Sequence, residues 1–112
     1  MTTQEWNTAL YQKMFAEQEK YREWLLSQPP EEILHHAYEY VMREDILLSL
    51  EYNSLTGRQA KALEKLPSPL QDIFQALEKQ EGSHMEEVWQ ALEGTAHEAA
   101  RKEFLKQGER GR

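Results

Sequence analysis

The sequence predicts an all-α protein, a compact bundle of four to five helices, and three observations indicate that class. Apolar residues recur every three or four positions along most of the chain, which is the spacing of amphipathic helices. The four prolines stand where the periodic stretches stop, and the five glycines are few enough to leave room for long helices. The predicted helices cover about 3–27, 30–52, 56–65 and 69–107, in one domain over 1–107 with a disordered tail over 108–112.

The first helix is predicted from a run of apolar residues at helical spacing. Thr3 is placed to cap it, because a threonine oxygen can accept a hydrogen bond from the first turn. The helix ends before Pro29-Pro30, since proline disfavours helical backbone in the residue that precedes it. The residues on its predicted apolar face are Trp6, Leu10, Met14, Tyr21, Trp24 and Leu25.

The second helix begins at Pro30, whose missing N–H costs nothing at a first helical position. Glu31 and Glu32 follow in the first turn, where the helix dipole favours anions. The apolar run Ile46-Leu47-Leu48 covers more than one face, which indicates contacts on two sides of the helix. The single apolar face predicted for this helix consists of Ile33, Leu34, Ala37, Tyr38, Val41, Ile46, Leu47 and Leu50.

The later helices follow turns that carry capping residues. Thr56 can cap a short third helix that directs Ala60 and Leu63 inward. Ser68 and Pro69 then form an N-cap and first-position pair, which predicts the start of the next helix. The apolar face of that helix is predicted to contain Leu70, Ile73, Phe74 and Leu77, and Met85, Val88, Trp89 and Leu92 continue it.

The segment Glu81-Gly82-Ser83 allows two predictions of helix structure. Ser83 and Glu86 have the spacing of a capping box, which favours a new helix start. Alternatively, one helix runs through, with Gly82 tolerated at a cost of about 1 kcal/mol. We favour one long helix to residue 107, bent at Gly82.

Composition and charge exclude several function classes. The net charge is −7, and the last twelve residues carry +3, which leaves −10 on the first hundred. An acidic body repels phosphate backbones, so direct nucleic-acid binding is not expected. The chain has no cysteine, which removes thiolate catalysis and thiolate metal sites, and a cytoplasmic location is expected. No apolar run is long enough for a membrane span, and the first residues lack the pattern of a signal peptide.

Two E-x-x-H pairs, Glu32 with His35 and Glu81 with His84, have the spacing found in carboxylate-bridged di-iron bundles. Such short motifs often occur by chance, and Glu32 also suits a helix N-terminus. We therefore expect no metal ligands, and a di-metal carboxylate protein remains the second alternative function. A third pattern, His97-Glu98, fails as a zinc-protease motif because Arg101 stands where a second histidine is required.

No enzyme is predicted. The sequence has no phosphate-binding glycine loop, no G-x-S-x-G nucleophile motif and no convincing acid–base pair, so neither catalytic residues nor a cofactor are expected. The charged segment Arg43-Glu44-Asp45 is interpreted as a surface stripe with an Arg43–Glu39 pair. The alternative is an acidic contact patch that includes Asp45 and Glu51.

Several segments resemble one family. They are Leu10-Tyr11-Gln12-Lys13-Met14, Glu17 to Tyr21, Ser27 to Tyr40, Arg43-Glu44-Asp45-Ile46, Gln59 to Leu63, and Ser68-Pro69-Leu70. Over roughly residues 5 to 95 the chain resembles the DUF3848 family of uncharacterised Firmicutes proteins. The resemblance implies a setting in gut Firmicutes, often in mobile elements. It implies no activity, ligand or catalytic residue.

The favoured interpretation is a protein-interaction or accessory module linked to mobile elements. Three tryptophans and five tyrosines exceed the needs of a small core, and such side chains often anchor interfaces. The predicted contact residues are Trp6, Trp24, Tyr40 and Trp89. The partner is an unidentified protein, with a homodimer as one candidate. The first alternative is an acidic nucleic-acid mimic that inhibits a host defence nuclease.

Overall fold

The computed structural model describes the backbone of residues 1–110 and the side chains of residues 1–80 and 85–108. Over that range the chain is helical and contains no strand, which confirms the all-α class. The helices are α1 (Thr3–Leu26), α2 (Pro30–Tyr52), α3 (Gly57–Glu64), α4 (Pro69–Glu78) and α5 (Glu81–Arg110). None of the helices within 1–110 has the length and hydropathy that crossing a bilayer requires.

The helices divide between two compact units, Met1–Leu77 and Glu78–Arg112. The prediction of one compact bundle of four to five helices is therefore wrong, although the number of helices falls in the predicted range. The first unit contains α1, α2, α3 and most of α4, and the second contains α5. The assignment of 1–107 to a single all-helical domain stays a prediction.

The N-cap of α1 lies one residue earlier than predicted, although the helix begins at Thr3 as predicted. Thr2, not Thr3, is the N-cap, and its hydroxyl accepts a hydrogen bond from the Glu5 backbone N–H at 3.1 Å. Glu5 in turn accepts from the Thr2 backbone N–H at 3.1 Å, which completes a capping box. This backbone hydrogen bond, followed by the one from the Thr2 side chain, lowers the pKa of the Glu5 carboxyl. Thr56 and Gln59 form the same reciprocal pair at the start of α3, as the sequence predicted for Thr56.

The prediction of one long last helix over 69–107 is wrong, because a turn at residues 79–80 interrupts the helix. The α4 helix ends at Glu78 and α5 begins at Glu81, so Gly82 lies within α5 instead of at the break. The predicted capping box at Ser83 involves a side chain that is outside the described residues. The α5 helix continues through Gly108 to Arg110, and residues 111–112 are outside the described range.

The core of the first unit is small and draws on four helices. Its buried residues are Leu10, Met14, Leu47, Ala60 and Leu70. The residues packed against them, each partly buried, are Trp6, Tyr11, Ile46, Leu50, Leu55, Leu63 and Ile73. The predicted faces of α1, α3 and α4 are thus largely correct, with the exception of Trp24, which is 45% exposed.

α1 also fixes its neighbours through polar side chains. The Asn7 amide pairs with the backbone of Leu55, donating to its carbonyl at 2.9 Å and accepting from its N–H at 3.0 Å. The Lys13 ammonium donates to the Glu64 carbonyl at the end of α3, at 2.6 Å, where the helix dipole favours a cation. A Cβ on Gly57 would stand 3.0 Å from the Thr3 hydroxyl, so glycine allows α3 to start close against α1.

The face predicted for α2 is partly wrong. Leu34, Tyr38 and Val41 are exposed, whereas Leu47 is buried as predicted and Arg43 is buried against the prediction. Arg43 occupies the inward position at the middle of α2. A prediction from hydrophobic periodicity places a charged residue on the solvent side of a helix. The consequence is that α2 turns a second apolar row away from the core of its unit.

The second unit is dominated by α5. Every side chain described on this helix, from Met85 to Gly108, is exposed. Its large apolar residues include Trp89, of which 59% is exposed. The helix therefore buries no described apolar side chain of its own.

Candidate protein-interaction surface

The outward row of α2 forms a line along the helix that is interrupted once by a charged residue, and it is named here the α2 stripe. It consists of Leu34, Tyr38, Val41, Leu48 and Tyr52, all exposed. Their spacings are those of a heptad repeat, in which residues three and four apart fall on one seam of a helix. Asp45 occupies the position between Val41 and Leu48 where the repeat would place another apolar residue. Side chains with this spacing can insert into the face of a second helix.

Acidic residues accompany the α2 stripe along one edge. Glu44 and Glu51 are exposed there, and Asp45 lies within the stripe itself. Glu44 also accepts a hydrogen bond from the Gln18 side chain at 3.1 Å, which ties this edge to α1. The surface thus combines apolar contact area with negative charge, the arrangement of the acidic contact patch considered from the sequence.

The contacts of the buried Arg43 with α1 set the rotation of α2 about its axis. Arg43 is 4% exposed, and its guanidinium contacts the Glu39 carboxylate through Nη2 at 2.8 Å and Nε at 2.9 Å. It also lies 3.9 Å from Glu17 and 4.3 Å from the centre of the Tyr21 ring. The predicted Arg43–Glu39 pair is confirmed, but the prediction that it lies on a surface stripe is wrong. Because burying an unpaired guanidinium is very costly, these partners hold Arg43 inward and the α2 stripe outward.

Gln18 is the second buried polar residue of the cluster, at 1% exposure. Its amide nitrogen donates to the Tyr40 carbonyl and to Glu44, both at 3.1 Å. Its amide oxygen has no hydrogen-bond partner among the described atoms. Sequence reasoning missed this residue because glutamine is usually exposed, yet its spacing from Leu10 and Met14 is that of the buried face.

The predicted contact residues do not form one cluster. Trp6 and Trp24 lie at opposite ends of α1, eighteen residues or about 27 Å apart along the helix. Trp6 is partly buried against the core, with the Lys61 ammonium 5.6 Å from its ring centre. Trp24 is more exposed, and Trp89 belongs to the second unit. Contact of these residues with a partner stays a prediction.

Trp24 and Tyr40 lie on the hairpin of α1 and α2. The Trp24 ring is in edge contact with His36, with ring centres 5.2 Å apart, and tilted against Tyr21 at 5.8 Å. Burial raises the pKa of the Tyr40 hydroxyl, Glu44 raises it further, and Arg22 opposes this effect. Tyr40 therefore belongs to the polar edge beside Gln18, whereas Trp24 belongs to the aromatic contact with His36.

The histidines of α2 do not form a metal centre in the described part of the chain. Glu32 approaches His36, with 3.6 Å between Oε2 and Nε2, and this pair has i, i+4 spacing and not the spacing of the E-x-x-H motif. The second pair, Glu81 and His84, lies outside the described side chains. Among the side chains that the structure does describe, no three acidic or histidine residues could together hold a metal ion.

An apolar groove of about 370 Å³ borders the core on another side of α2. Its lining includes Leu10, Met14, Ile46, Leu50 and Ile73. The polar residues in the lining are Ser49, Asn53 and Ser54, and none of the lining residues is ionisable. The groove can accept apolar groups, but it offers no acid, base or metal ligand.

Fold and surface together define an all-α protein with an exposed, acid-edged apolar helix face. The model of a family described as "Protein of unknown function (DUF3848)" matches residues 6–100. Because the match covers most of the chain, this chain belongs to the DUF3848 family, and the resemblance found in the sequence is confirmed. No curated protein and no solved structure matches the chain.

Proposed function

We propose that this chain is a helical protein-interaction module that acts by binding and not by catalysis. The observation that carries the proposal is the α2 stripe, a row of large apolar side chains that the fold turns away from its own core. Contiguous exposed apolar patches on a folded domain commonly mark interaction sites.

The geometry supports a helix as the bound element. Leu34 and Tyr52 are eighteen residues apart, so the α2 stripe is about 27 Å long. A partner helix of five turns covers that length and can place its own residues between those of the stripe. The buried Arg43 cluster holds the surface in place before binding, which lowers the ordering cost of association.

The charges on the surface support a basic partner. Asp45 stands in the middle of the α2 stripe, and Glu44 and Glu51 lie along its edge. A lysine or arginine on the partner helix opposite Asp45 would neutralise this charge on binding. An acidic helix would instead bring like charges together and be rejected.

The proposal includes an accessory role in mobile elements and a cytoplasmic location. The mobile-element setting is supported by the family resemblance alone. The cytoplasmic location is supported by the absence of cysteine from the sequence.

The test compares affinity capture by the full chain and by two matched variants. Leu48→Lys places a charge in the α2 stripe, and Gln75→Lys makes the same kind of change at an exposed position of α4. Tagged proteins are expressed in a Firmicutes host, and captured proteins are identified by mass spectrometry. We expect at least one protein to be retained by the wild type and by Gln75→Lys and to be lost with Leu48→Lys.

Circular dichroism and urea unfolding of both variants establish that the fold is intact. Identical capture by all three proteins would overturn the proposal. A partner that is lost with Glu44→Gln and Asp45→Asn but kept with Leu48→Lys, and that DNA displaces, would instead support the nucleic-acid-mimic alternative.

A further inference from the structure

The α5 helix carries an apolar face that is independent of the α2 stripe. Its exposed apolar residues at helical spacing are Met85, Val88, Trp89, Leu92, Ala96, Ala99 and Ala100. A helix in water gains most of its stability by packing such a face against another element. No described side chain of α5 is buried, so the face is available to a partner.

The size of the side chains changes along this face. Its N-terminal half carries large residues, among them Met85, Trp89 and Leu92. Beyond Leu92 the face carries alanine, at Ala96, Ala99 and Ala100, whereas the exposed Phe104 and Leu105 lie further round the helix, about 80° and about 180° from Ala96. Large residues pack best against small ones across an interface. The face is therefore complementary to itself when two copies run in opposite directions, and not when they run in parallel.

The charge of α5 changes in the same direction. Over the described side chains, the first half carries Glu86, Glu87 and Glu93 without a lysine or arginine. The second half carries Arg101, Lys102 and Lys106 against Glu98 and Glu103, and Arg101 pairs with Glu98 at 2.8 Å within the same helix. An antiparallel pair brings each acidic half alongside a basic half, whereas a parallel pair brings acid beside acid.

We propose that α5 is a self-association helix, which pairs antiparallel with α5 of a second copy of this chain. The overlap is centred near residues 92–96, so that Trp89 of one copy packs over the alanines of the other. This proposal goes beyond the proposed function, because it uses α5 and a second copy, whereas the proposed function uses the α2 stripe and a different protein.

The first measurement is the molecular mass of the full chain in solution over a series of concentrations, by light scattering or sedimentation. We expect the mass to rise from 13.3 kDa to twice that value as concentration increases. Leu92→Lys is expected to abolish the dimer, and Leu48→Lys in the α2 stripe is expected to leave it intact. A wild-type chain that stays monomeric at every concentration would overturn the proposal, as would a dimer that Leu92→Lys does not affect.

The second measurement determines the orientation of the helices, and the lack of native cysteine makes it direct. A disulfide forms only when the two Cα atoms approach within about 7 Å. Residue 92 of one copy lies opposite residue 96 of the other, so a mixture of Leu92→Cys with Ala96→Cys should form a mixed disulfide dimer under mild oxidation. Met85→Cys should not cross-link to itself, because the two copies of that residue would lie about 27 Å apart. A mixture of Met85→Cys with Glu103→Cys should form the mixed dimer.

Efficient self-cross-linking of Met85→Cys would show parallel helices and would overturn the antiparallel arrangement. The two proposals fail separately. Loss of partner capture with Leu48→Lys concerns the α2 stripe, and loss of the dimer with Leu92→Lys concerns α5.

Discussion

The Glu17 carboxylate accepts a hydrogen bond from the backbone N–H of Leu70 at 2.9 Å, across 53 residues of sequence. Its second oxygen accepts from the N–H of Gln71, also at 2.9 Å. These two N–H groups belong to the first turn of α4, where no intrahelical acceptor exists. A residue of α1 thus serves as the cap of α4, and the same carboxylate faces the buried Arg43.

Glu17→Ala should destabilise the first unit by about 1–2 kcal/mol, since it removes an N-terminal cap and an anion from the positive end of a helix. The measurement is the free energy of unfolding in urea. Glu19→Ala is the control, because Glu19 is exposed on the same helix and should change the free energy by less than about 0.5 kcal/mol. Equal effects of the two variants would contradict the capping role.

Arg43→Met should cost about 3–5 kcal/mol, because it leaves the partly buried Glu39 carboxylate without its cation. Arg58→Met removes the same charge from an exposed position of α3 and should be nearly neutral. The double variant Arg43→Met with Glu39→Leu should recover part of the loss. An arginine that merely lay on the surface would make the two single variants indistinguishable.

Leu47 and Leu48 give a direct test of how α2 is rotated. Leu47 is 4% exposed and Leu48 is 49% exposed, although they are adjacent and identical. Leu47→Ala should lower the free energy of unfolding by about 2–5 kcal/mol, and Leu48→Ala by less than about 1 kcal/mol. The reverse order would mean that the α2 stripe faces the core.

Tyr21 should make the protein sensitive to alkaline pH. Burial raises the pKa of its hydroxyl, the Glu39 carboxylate raises it further, and Arg43 opposes both. The unfolded chain therefore loses the tyrosine proton at a lower pH than the folded chain. The contribution of Tyr21 to stability is complete below about pH 10 and is lost as the pH rises through the folded-state pKa.

The measurement for Tyr21 is the unfolding free energy across the alkaline range. Tyr21→Phe should show a shallower loss of stability there than the wild type. Tyr52→Phe, at an exposed position, serves as the control and should follow the wild-type curve. Parallel curves for wild type and Tyr21→Phe would show that this hydroxyl is not shielded.

The parts of the fold that local sequence determines were predictable. The start of α2 at Pro30 and the cap of α3 at Thr56 depend on residues within one helical turn. The Glu17 cap of α4 was not predictable, because nothing near Pro69 indicates a carboxylate supplied from α1. The break at residues 79–80 contains neither proline nor glycine, and the nearby signals at Gly82 and Ser83 indicated a break a few residues later in the chain.

The candidate surface was only partly predictable, because the contacts of one charged residue, and not hydrophobicity alone, decide which face of α2 is buried. Hydrophobic periodicity assigns the larger apolar row of a helix to the core, and on α2 that row includes Leu34 and Val41. Arg43 reverses the assignment, since its contacts with Glu17 and the Tyr21 ring of α1 are made only when it points inward. One signal was present: the apolar run at Ile46 to Leu48 predicted contacts on two sides of α2.

The position of α1 has a consequence for the order of events during synthesis. The ribosome makes Gln18 and its neighbours before any of the chain that they will hold. At typical elongation rates the 53 residues from Glu17 to Leu70 take roughly 3 to 10 s. During that interval the buried side of α1 has no complete set of partners. The first unit therefore completes its core only when α4 packs against α1, which was synthesised seconds earlier.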